Sequence, residues 1–132
     1  MTPCRTLMVE DSSIIAGSLT QALEEMTGLV VVGVAATEDE AVRHFTEDSR
    51  GYDLVIVDIF LKAGSGLGVL RRGRVLMPGS TFVVVTNYAT PEMRRACTDL
   101  GAAQIFDKST QLDELIDFCR QVVSAVRPPT LN

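Results

Sequence analysis

The sequence has few of the side chains from which cofactor and metal sites are most often built. Among its 132 residues there is no tryptophan, there are two tyrosines, and there is one histidine, His44. A single histidine excludes a histidine-based metal cluster, and the shortage of aromatic rings argues against a site that stacks a flavin. The cysteines Cys4, Cys97 and Cys119 are far apart and form no CxxC pair. We therefore expect them to be small buried side chains in a reducing compartment.

Positive charge is also scarce. The net charge is -5, and the chain has two lysines, Lys62 and Lys108. Broad nucleic-acid binding needs a basic face, so no nucleic-acid partner is expected. No apolar run approaches the roughly 18–20 residues that a membrane-spanning helix requires, and the N-terminus carries no secretory signal. These absences predict a cytoplasmic protein without a membrane contact.

The length and the apolar content predict one globular domain. Hydrophobic residues make up 46% of the chain, which is enough to bury a core. A chain of 132 residues fits a single domain over residues 1–132. The core is expected at about residues 5–126, and RPPTLN at 127–132 is expected to be a loose C-terminal tail.

Five short apolar runs recur along the chain without alternating polar residues, which is typical of strands buried on both faces of a parallel sheet. Segments with helical spacing follow each run, so a βα unit is predicted five times. This pattern indicates an α/β fold with an open, doubly wound parallel sheet and right-handed crossovers. The runs are 6–9, 29–36, 54–57, 82–85 and 102–106, and the helical segments are 12–26, 37–48, 65–76, 90–100 and 111–126.

Two helical segments make specific predictions about packing. Segment 65–76 contains Gly68 and Gly73, each of which costs about 1 kcal/mol relative to alanine in a helix interior. Segment 12–26 is predicted to pack through one apolar stripe, with Asp11 or Ser12 as its N-cap. The stripe consists of Ile15, Leu19, Ala22, Leu23 and Met26.

Polar residues follow four of the predicted strands. Glu10 and Asp11 follow the first, Asp58 follows the third, Thr86 ends the fourth, and Lys108 follows the fifth. In doubly wound sheets, ligands bind outside the carboxyl ends of the strands, near the switch in strand order. We therefore expect these side chains to meet at one edge of the sheet.

The side chains of this edge suit a phosphoryl group. Like unit charges 4 Å apart repel by about 4 kcal/mol at an effective dielectric constant near 20, so three crowded carboxylates either retain protons or bind a cation. Oxygen ligands favour a hard ion such as Mg²⁺. A lysine and a hydroxyl can hold phosphoryl oxygens, and a carboxylate such as Asp58 can become an acyl phosphate.

With these residues in place, the sequence resembles the receiver domains of two-component response regulators over about residues 5–126. The resemblance implies a flavodoxin-like (βα)5 fold with strand order 2-1-3-4-5. Its motifs are ED at 10–11, VDIFLKAGSG with Gly66 eight residues after Asp58, VVVT ending at Thr86, and GAAQIFDKS with Lys108.

The resemblance also implies a role for each matching position. Asp58 would accept a phosphoryl group from a phosphohistidine on a sensor histidine kinase or a histidine phosphotransfer protein. Glu10, Asp11 and Asp58 would hold Mg²⁺ together with the backbone carbonyl of Phe60.

Two further positions are implied to contact the phosphoryl oxygens, namely Thr86 and Lys108. The Lys108 charge can pair with the phosphoryl group only once that group is present, so Lys108 is expected to matter more for the switch than for the covalent step. In the family these contacts shift the face formed by helix four, strand five and helix five. That face would bind a downstream protein or form a homodimer.

Four positions depart from the family pattern. Lys62 and Ser109 replace usual prolines, Asn87 replaces a small residue, and Ile105 replaces an aromatic residue. Asn87 narrows access to Asp58 in this interpretation. Ile105 has no polar tip that alternates between water and the interior, so it is expected to stay buried on the side of strand five opposite to Lys108 and Phe106.

Two functions from different classes follow. The first is a phosphorylatable signalling switch that is not an enzyme beyond its own phosphorylation and dephosphorylation. The second is a pseudo-receiver, in which the same fold serves as a binding or dimerisation module without phosphorylation. The complete set of acids, hydroxyl and lysine favours the first.

Overall fold

The computed structural model describes residues 2–126, and the predicted tail at 127–132 lies outside the described residues. Strands and helices alternate along the described part of the chain, as predicted. The strands are β1 (Arg5–Val9), β2 (Val30–Ala35), β3 (Leu54–Val57), β4 (Thr81–Thr86) and β5 (Gln104–Asp107). The helices are α1 (Ser13–Thr27), α2 (Glu38–Glu47), α3 (Gly66–Leu76), α4 (Pro91–Asp99) and α5 (Leu112–Val126).

The five strands form one parallel sheet in the order β2-β1-β3-β4-β5. The predicted fold class and strand order are therefore confirmed. The chain moves outward in one direction from β1 to β2 and in the other direction from β3 to β5. The switch between these directions lies between β1 and β3, where Val9 pairs with Val57. Whatever follows these two residues meets at the carboxyl edge of the sheet.

Helices cover both faces of the sheet, and each face has its own apolar core. On one face α2, α3 and α4 pack through residues such as Phe45, Leu70 and Cys97. On the other face α1 and α5 pack through residues such as Leu23 and Leu115. This division follows from right-handed crossovers on either side of the switch.

Strand β2 differs from the prediction that every strand is buried on both faces. Val30, Val32 and Val34 are 37%, 41% and 48% exposed. The cause is topological, because β2 is an edge strand that pairs with β1 alone. An apolar run indicates a strand, but it does not show whether that strand has one neighbour or two.

The predicted apolar stripe of α1 is also partly wrong. Its buried residues are Ala16 and Leu23, whereas Ile15 and Met26 are 38% and 48% exposed. Ala16 and Leu23 are seven residues apart, so they lie on one line along the helix. Of the two proposed N-caps, Ser12 is the one observed, because its side chain accepts a hydrogen bond from the Ile15 amide.

Helix α3 forms despite its glycines, which lie at close packing contacts. A Cβ on Gly73 would come 2.5 Å from the Phe82 ring and 3.3 Å from the Phe45 ring. A Cβ on Gly66 would overlap the backbone oxygen of Asp58. These glycines therefore let the helix approach the sheet, and the contacts offset their low helix propensity.

The three cysteines are buried, as predicted. Burial raises the pKa of Cys119 to about 12, so this thiol stays protonated near neutral pH.

Within residues 2–126, none of the helices combines the length and apolarity required to cross a membrane.

The packing of Gly73 leads to a prediction about stability. Gly73→Ala should lower the free energy of unfolding by about 1–3 kcal/mol, because the added methyl group displaces two buried rings. Urea unfolding followed by circular dichroism measures the change.

Gly17 in α1 provides the control, because an added Cβ there meets no atom within 4 Å. Gly17→Ala should raise stability by about 0.5–1 kcal/mol through helix propensity alone. Equal stabilisation by both substitutions would contradict the packing role of Gly73.

Candidate functional site

The backbone continues the sheet ladder one residue beyond the strands and so fixes where the polar residues lie. The Glu10 amide donates to the Ala35 carbonyl at 2.9 Å, and the Asp58 amide donates to the Val9 carbonyl at 2.9 Å. The Lys108 amide donates to the Thr86 carbonyl at 3.0 Å. Glu10, Asp58 and Lys108 are thereby held at the same carboxyl edge.

Three carboxylates cluster at the switch between β1 and β3. One oxygen each from Glu10, Asp11 and Asp58 lies within 4.8 Å of the other two. Glu10 is 3% exposed and Asp58 is 8% exposed, whereas Asp11 is open to solvent. An all-oxygen donor set with one side facing water is suited to a hard cation that retains part of its hydration shell.

Lys108 already forms ion pairs with two of these carboxylates. Its Nζ lies 2.5 Å from Glu10 Oε1 and 3.0 Å from Asp58 Oδ2. Burial by itself lowers the pKa of the Lys108 ammonium, but the hydrogen bonds that the ammonium donates to the two carboxylates, together with their negative charges, outweigh burial, so the net pKa is raised. Lys108 is therefore paired with Glu10 and Asp58 in this structure, and its predicted contact with a phosphoryl group would have to replace one of these ion pairs.

Each of the two buried carboxylates is held in the same manner. Asp58 Oδ1 accepts a hydrogen bond from the Ile59 amide at 2.8 Å, and Glu10 Oε2 accepts one from the Ser12 amide at 3.0 Å. The second oxygen of each carboxylate accepts from Lys108. The backbone thus fixes one oxygen of each carboxylate, and the Lys108 ammonium bonds the other.

Thr86 is fully buried at the end of β4. Its Oγ1 accepts a hydrogen bond from the Tyr88 amide at 3.2 Å. The hydroxyl acts as acceptor in this bond, so its hydrogen remains able to donate to an anion. The structure therefore brings Glu10, Asp11, Asp58 and Lys108 together and places Thr86 on the adjacent strand, bonded within its own loop.

Two exposed aromatic rings meet beside the cluster, a contact that the sequence did not predict. Phe60 and Tyr88 are 54% and 58% exposed, and their ring centroids are 4.7 Å apart in an edge-to-face arrangement. Phe60 lies two residues beyond Asp58, and Tyr88 lies two residues beyond Thr86. This equal spacing after two predicted site residues was the feature of the sequence that could have predicted the contact. The pair joins the β3–α3 loop (residues 58–65) to the β4–α4 loop (residues 87–90).

The backbone of Phe60 is itself constrained. Phe60 forms an antiparallel bridge with Ser65, and the Gly66 amide donates to the Ile59 carbonyl at 2.8 Å. The β3–α3 loop is therefore a closed turn rather than a free segment. A carbonyl at Phe60 can serve as a ligand only if this turn keeps its shape.

Arg94 on α4 makes three hydrogen bonds that the sequence did not predict. Its Nε donates to the Ala89 carbonyl at 3.1 Å, its Nη1 to the Ile105 carbonyl at 2.8 Å, and its Nη2 to Gln111 Oε1 at 2.8 Å. The guanidinium thus connects the β4–α4 loop, β5 and the start of α5. An arginine in a helix carries no sequence signal for such a role.

Ile105 lies where the sequence placed it. It is 7% exposed and packs in the core beneath α2, α3 and α4, whereas Phe106 packs in the core beneath α1 and α5. Adjacent residues of a strand face opposite sides, so Phe106 cannot replace Ile105. The other departures, Lys62, Asn87 and Ser109, are exposed.

Comparison with known proteins identifies relatives of this arrangement. The protein-glutamate methylesterase/protein-glutamine glutaminase 5 of Myxococcus xanthus is 32% identical over 130 residues, which cover 96% of this chain and 37% of that protein. The response regulator GacA of Pseudomonas aeruginosa is 27% identical over 123 residues, which cover 93% of this chain and 56% of GacA. The chain thus spans little more than a third of the first relative and little more than half of the second.

A solved structure agrees with the fold over nearly the full length of both chains. The CheY-like response regulator receiver domain protein of Methanospirillum hungatei superposes with a TM-score of 0.82 at 25% identity, covering 96% of this chain and 98% of that one. Residues 6–120 match the response regulator receiver domain family. The chain, with its acidic edge cluster and its sheet order, therefore belongs to the response regulator receiver domains of two-component signalling.

Proposed function

We propose that this receiver is phosphorylated on Asp58 by a phosphohistidine of a sensor histidine kinase or a histidine phosphotransfer protein, the partners of receiver domains. One observation supports this above all others. The Asp58 carboxylate is buried, has one oxygen fixed by a backbone amide, and has the other bonded to the Lys108 ammonium. Such a carboxylate is oriented for reaction and is next to a charge that can follow the incoming group.

The transfer is a displacement at phosphorus. A bond forms between an Asp58 carboxylate oxygen and phosphorus while the nitrogen–phosphorus bond of the phosphohistidine breaks, and its electron pair returns to the imidazole nitrogen. Lys108 moves from Asp58 Oδ2 to a phosphoryl oxygen, and the Thr86 hydroxyl donates a hydrogen bond to another. Attack of water on the resulting acyl phosphate regenerates the carboxylate and releases inorganic phosphate.

Receiver domains bind Mg²⁺ at an acidic pocket, and the donor set of this chain fits that ion. Glu10, Asp11 and Asp58 would hold it through side-chain oxygens, and Phe60 through its backbone carbonyl. When bound, the ion supplies positive charge that offsets the negative phosphoryl oxygens. The donors support this assignment because they are all oxygen and lie within 4.8 Å of one another.

The output of the switch is proposed to be protein contact in the cytoplasm. The α4–β5–α5 face, connected by Arg94, would bind a downstream protein or a second copy of the chain. Neither a nucleic acid nor a membrane is proposed as a partner. The methylesterase named for the Myxococcus relative belongs to a longer protein, and the receiver alone is not proposed to catalyse that reaction.

Mass spectrometry after incubation with acetyl phosphate tests the acceptor. The parent protein should gain one phosphoryl group when Mg²⁺ is present and none in EDTA. Asp58→Asn should abolish the gain, because an amide is not a nucleophile of this kind.

Asp107→Asn is the matched control, since Asp107 lies at the same edge with its carboxylate bonded to Ser109. It should be phosphorylated like the parent. Phosphorylation of Asp58→Asn would show that another residue is the acceptor. A parent that stays unmodified with Mg²⁺ and donor present would favour the pseudo-receiver alternative.

Lys108→Met should destabilise the metal-free protein by about 2–4 kcal/mol, because it leaves buried carboxylates without their cation. Mg²⁺ should stabilise this variant more than it stabilises the parent, since the ion no longer competes with the ammonium. Urea unfolding in EDTA and in Mg²⁺ measures both effects.

Lys62→Met is the control, because Lys62 is the other lysine and is exposed in the β3–α3 loop. Its unfolding should match the parent under both conditions. A Lys108→Met variant as stable as the parent in EDTA would show that the ion pairs contribute nothing.

Ile105 and Arg94 should respond differently to phosphorylation. With Mg²⁺ and beryllium fluoride as phosphoryl mimic, Ile105 should remain buried, because leaving the core would cost up to about 1.5–3 kcal/mol. The change at the β4–α4 loop should instead reach β5 through Arg94. Amide chemical shifts of residues 104–107 should therefore respond less in Arg94→Ala than in the parent.

Arg95→Ala serves as the control, because Arg95 is the exposed neighbour on the same helix. Its β5 shifts should follow those of the parent. Equal responses in Arg94→Ala and Arg95→Ala, or an Ile105 side chain that becomes exposed with the mimic, would refute this path.

A further inference from the structure

Glu38, the first residue of α2, is bonded to the loop that follows Asp58. Its Oε1 accepts a hydrogen bond from the Ser65 amide at 3.1 Å, and its own amide donates to the Ala63 carbonyl at 3.1 Å. In one of these two bonds the loop donates to α2, and in the other α2 donates to the loop. They fix the end of the β3–α3 loop to the first turn of α2.

The loop is shaped to receive this side chain. Gly64 has a φ of 74°, and a Cβ there would lie 2.5 Å from Glu38 Cβ. A Cβ on Gly68, in the first turn of α3, would overlap the Glu38 carboxylate. The two glycines thus form a notch into which the carboxylate fits, with 21% of the side chain exposed.

Ser65 connects this notch to the functional site. Its amide is held by Glu38, its hydroxyl caps α3 by accepting from the Leu67 amide at 3.0 Å, and its backbone bridges to Phe60. The carbonyl of Phe60 is one of the proposed ligands of Mg²⁺. The position of that carbonyl therefore depends on a bond made by Glu38.

Other roles of Glu38 do not account for this geometry. An acid in the first turn of α2 interacts favourably with the helix dipole, but Asp39 and Glu40 provide the same charge. The contact to Arg72 is long, at 3.4 Å, and Arg72 is 46% exposed, so this ion pair contributes little. Asp39 also approaches Arg72, at 3.5 Å. The bond to Ser65 is what distinguishes Glu38 from its neighbours.

We propose that Glu38 is a positioning residue for the cation site, which it supports by closing the β3–α3 loop and thereby fixing the Phe60 carbonyl. It touches neither the ion nor the phosphoryl group. The inference rests on the proposed function, because it assumes that Phe60 is a ligand of Mg²⁺. It adds the Glu38 side chain, which belongs to α2, to the residues on which the cation site depends.

Titration with Mg²⁺ in the absence of any phosphoryl donor tests the proposal, with amide chemical shifts and calorimetry as readouts. Glu38→Ala should raise the dissociation constant about tenfold, the size expected when a group that orients a ligand is removed. Glu38→Gln should retain an affinity close to that of the parent, because its amide oxygen can still accept from Ser65.

Asp39→Ala is the matched control, because it removes the same charge and the same Arg72 contact but no bond to the loop. It should bind Mg²⁺ like Glu38→Gln. Circular dichroism establishes that each variant is folded at the temperature of the titration, and the Ser65 and Phe60 amides of Glu38→Ala should shift before any Mg²⁺ is added.

Each remaining outcome decides the matter. A parent that binds Mg²⁺ while Glu38→Ala binds it equally well overturns the role of Glu38 and leaves the proposed function intact. Loss of affinity in Glu38→Gln and Asp39→Ala to the same extent as in Glu38→Ala assigns the effect to charge and also overturns it. A parent that binds no Mg²⁺ overturns the cation site itself.

Discussion

The ammonium of Lys108 lies between the carboxylates of Glu10 and Asp58, which are both buried. The charge balance at the carboxyl edge of the sheet depends on this contact. Glu10 and Asp58 would repel each other strongly at such low exposure without a cation between them. The lysine comes from β5, so its side chain must cross the end of β4 to reach carboxylates on β3 and β1. One ion-paired side chain thus ties the edge strand to the centre of the sheet, and any second cation must share or replace it.

The fold could be predicted because it depends on patterns that are local in sequence. Short apolar runs separated by helical spacing fix the number of βα units, and the crossover rule then places helices on both faces. Where the prediction was wrong, the missing information concerned neighbours. Val32 and Val34 are exposed because β2 lies at the edge, and Ile15 is exposed because α1 meets the sheet along Ala16 and Leu23. Neither fact is encoded in the apolar pattern of the segment itself.

The acidic cluster could be predicted for a different reason. Once the strands are parallel, their carboxyl ends share an edge, so residues that follow β1 and β3 must meet there whatever their separation in sequence. Strand topology does not determine the contacts that the side chains make. It places Lys108 at the edge but does not reveal that its partners are Glu10 and Asp58 already. It gives no indication that Arg94 or Glu38 reaches across to another element, because a charged residue on a helix is ordinarily solvent-facing.

These long-range contacts give the two loops beside Asp58 different mechanical properties. The β3–α3 loop is held by the hydrogen bond from the Ser65 amide to Glu38 on α2. It is also held by its own bridge between Phe60 and Ser65. The β4–α4 loop is held by Arg94, whose other two bonds are to β5 and the start of α5. Displacement of the β3–α3 loop therefore disturbs the surroundings of Asp58, whereas displacement of the β4–α4 loop disturbs β5 and the start of α5. The contact between the Phe60 and Tyr88 rings is where these two responses meet, since a ring cannot follow one loop without losing its packing against the other. Under the proposed function, a phosphoryl group on Asp58 would bias the α4–β5–α5 face through the β4–α4 loop. It could do so only to the extent that it interacts differently with two conformations of that loop. Under the proposed function, that difference would act through the Arg94 guanidinium and its carbonyl partners, because Ile105, in the core at β5, has no polar side-chain atom to exchange.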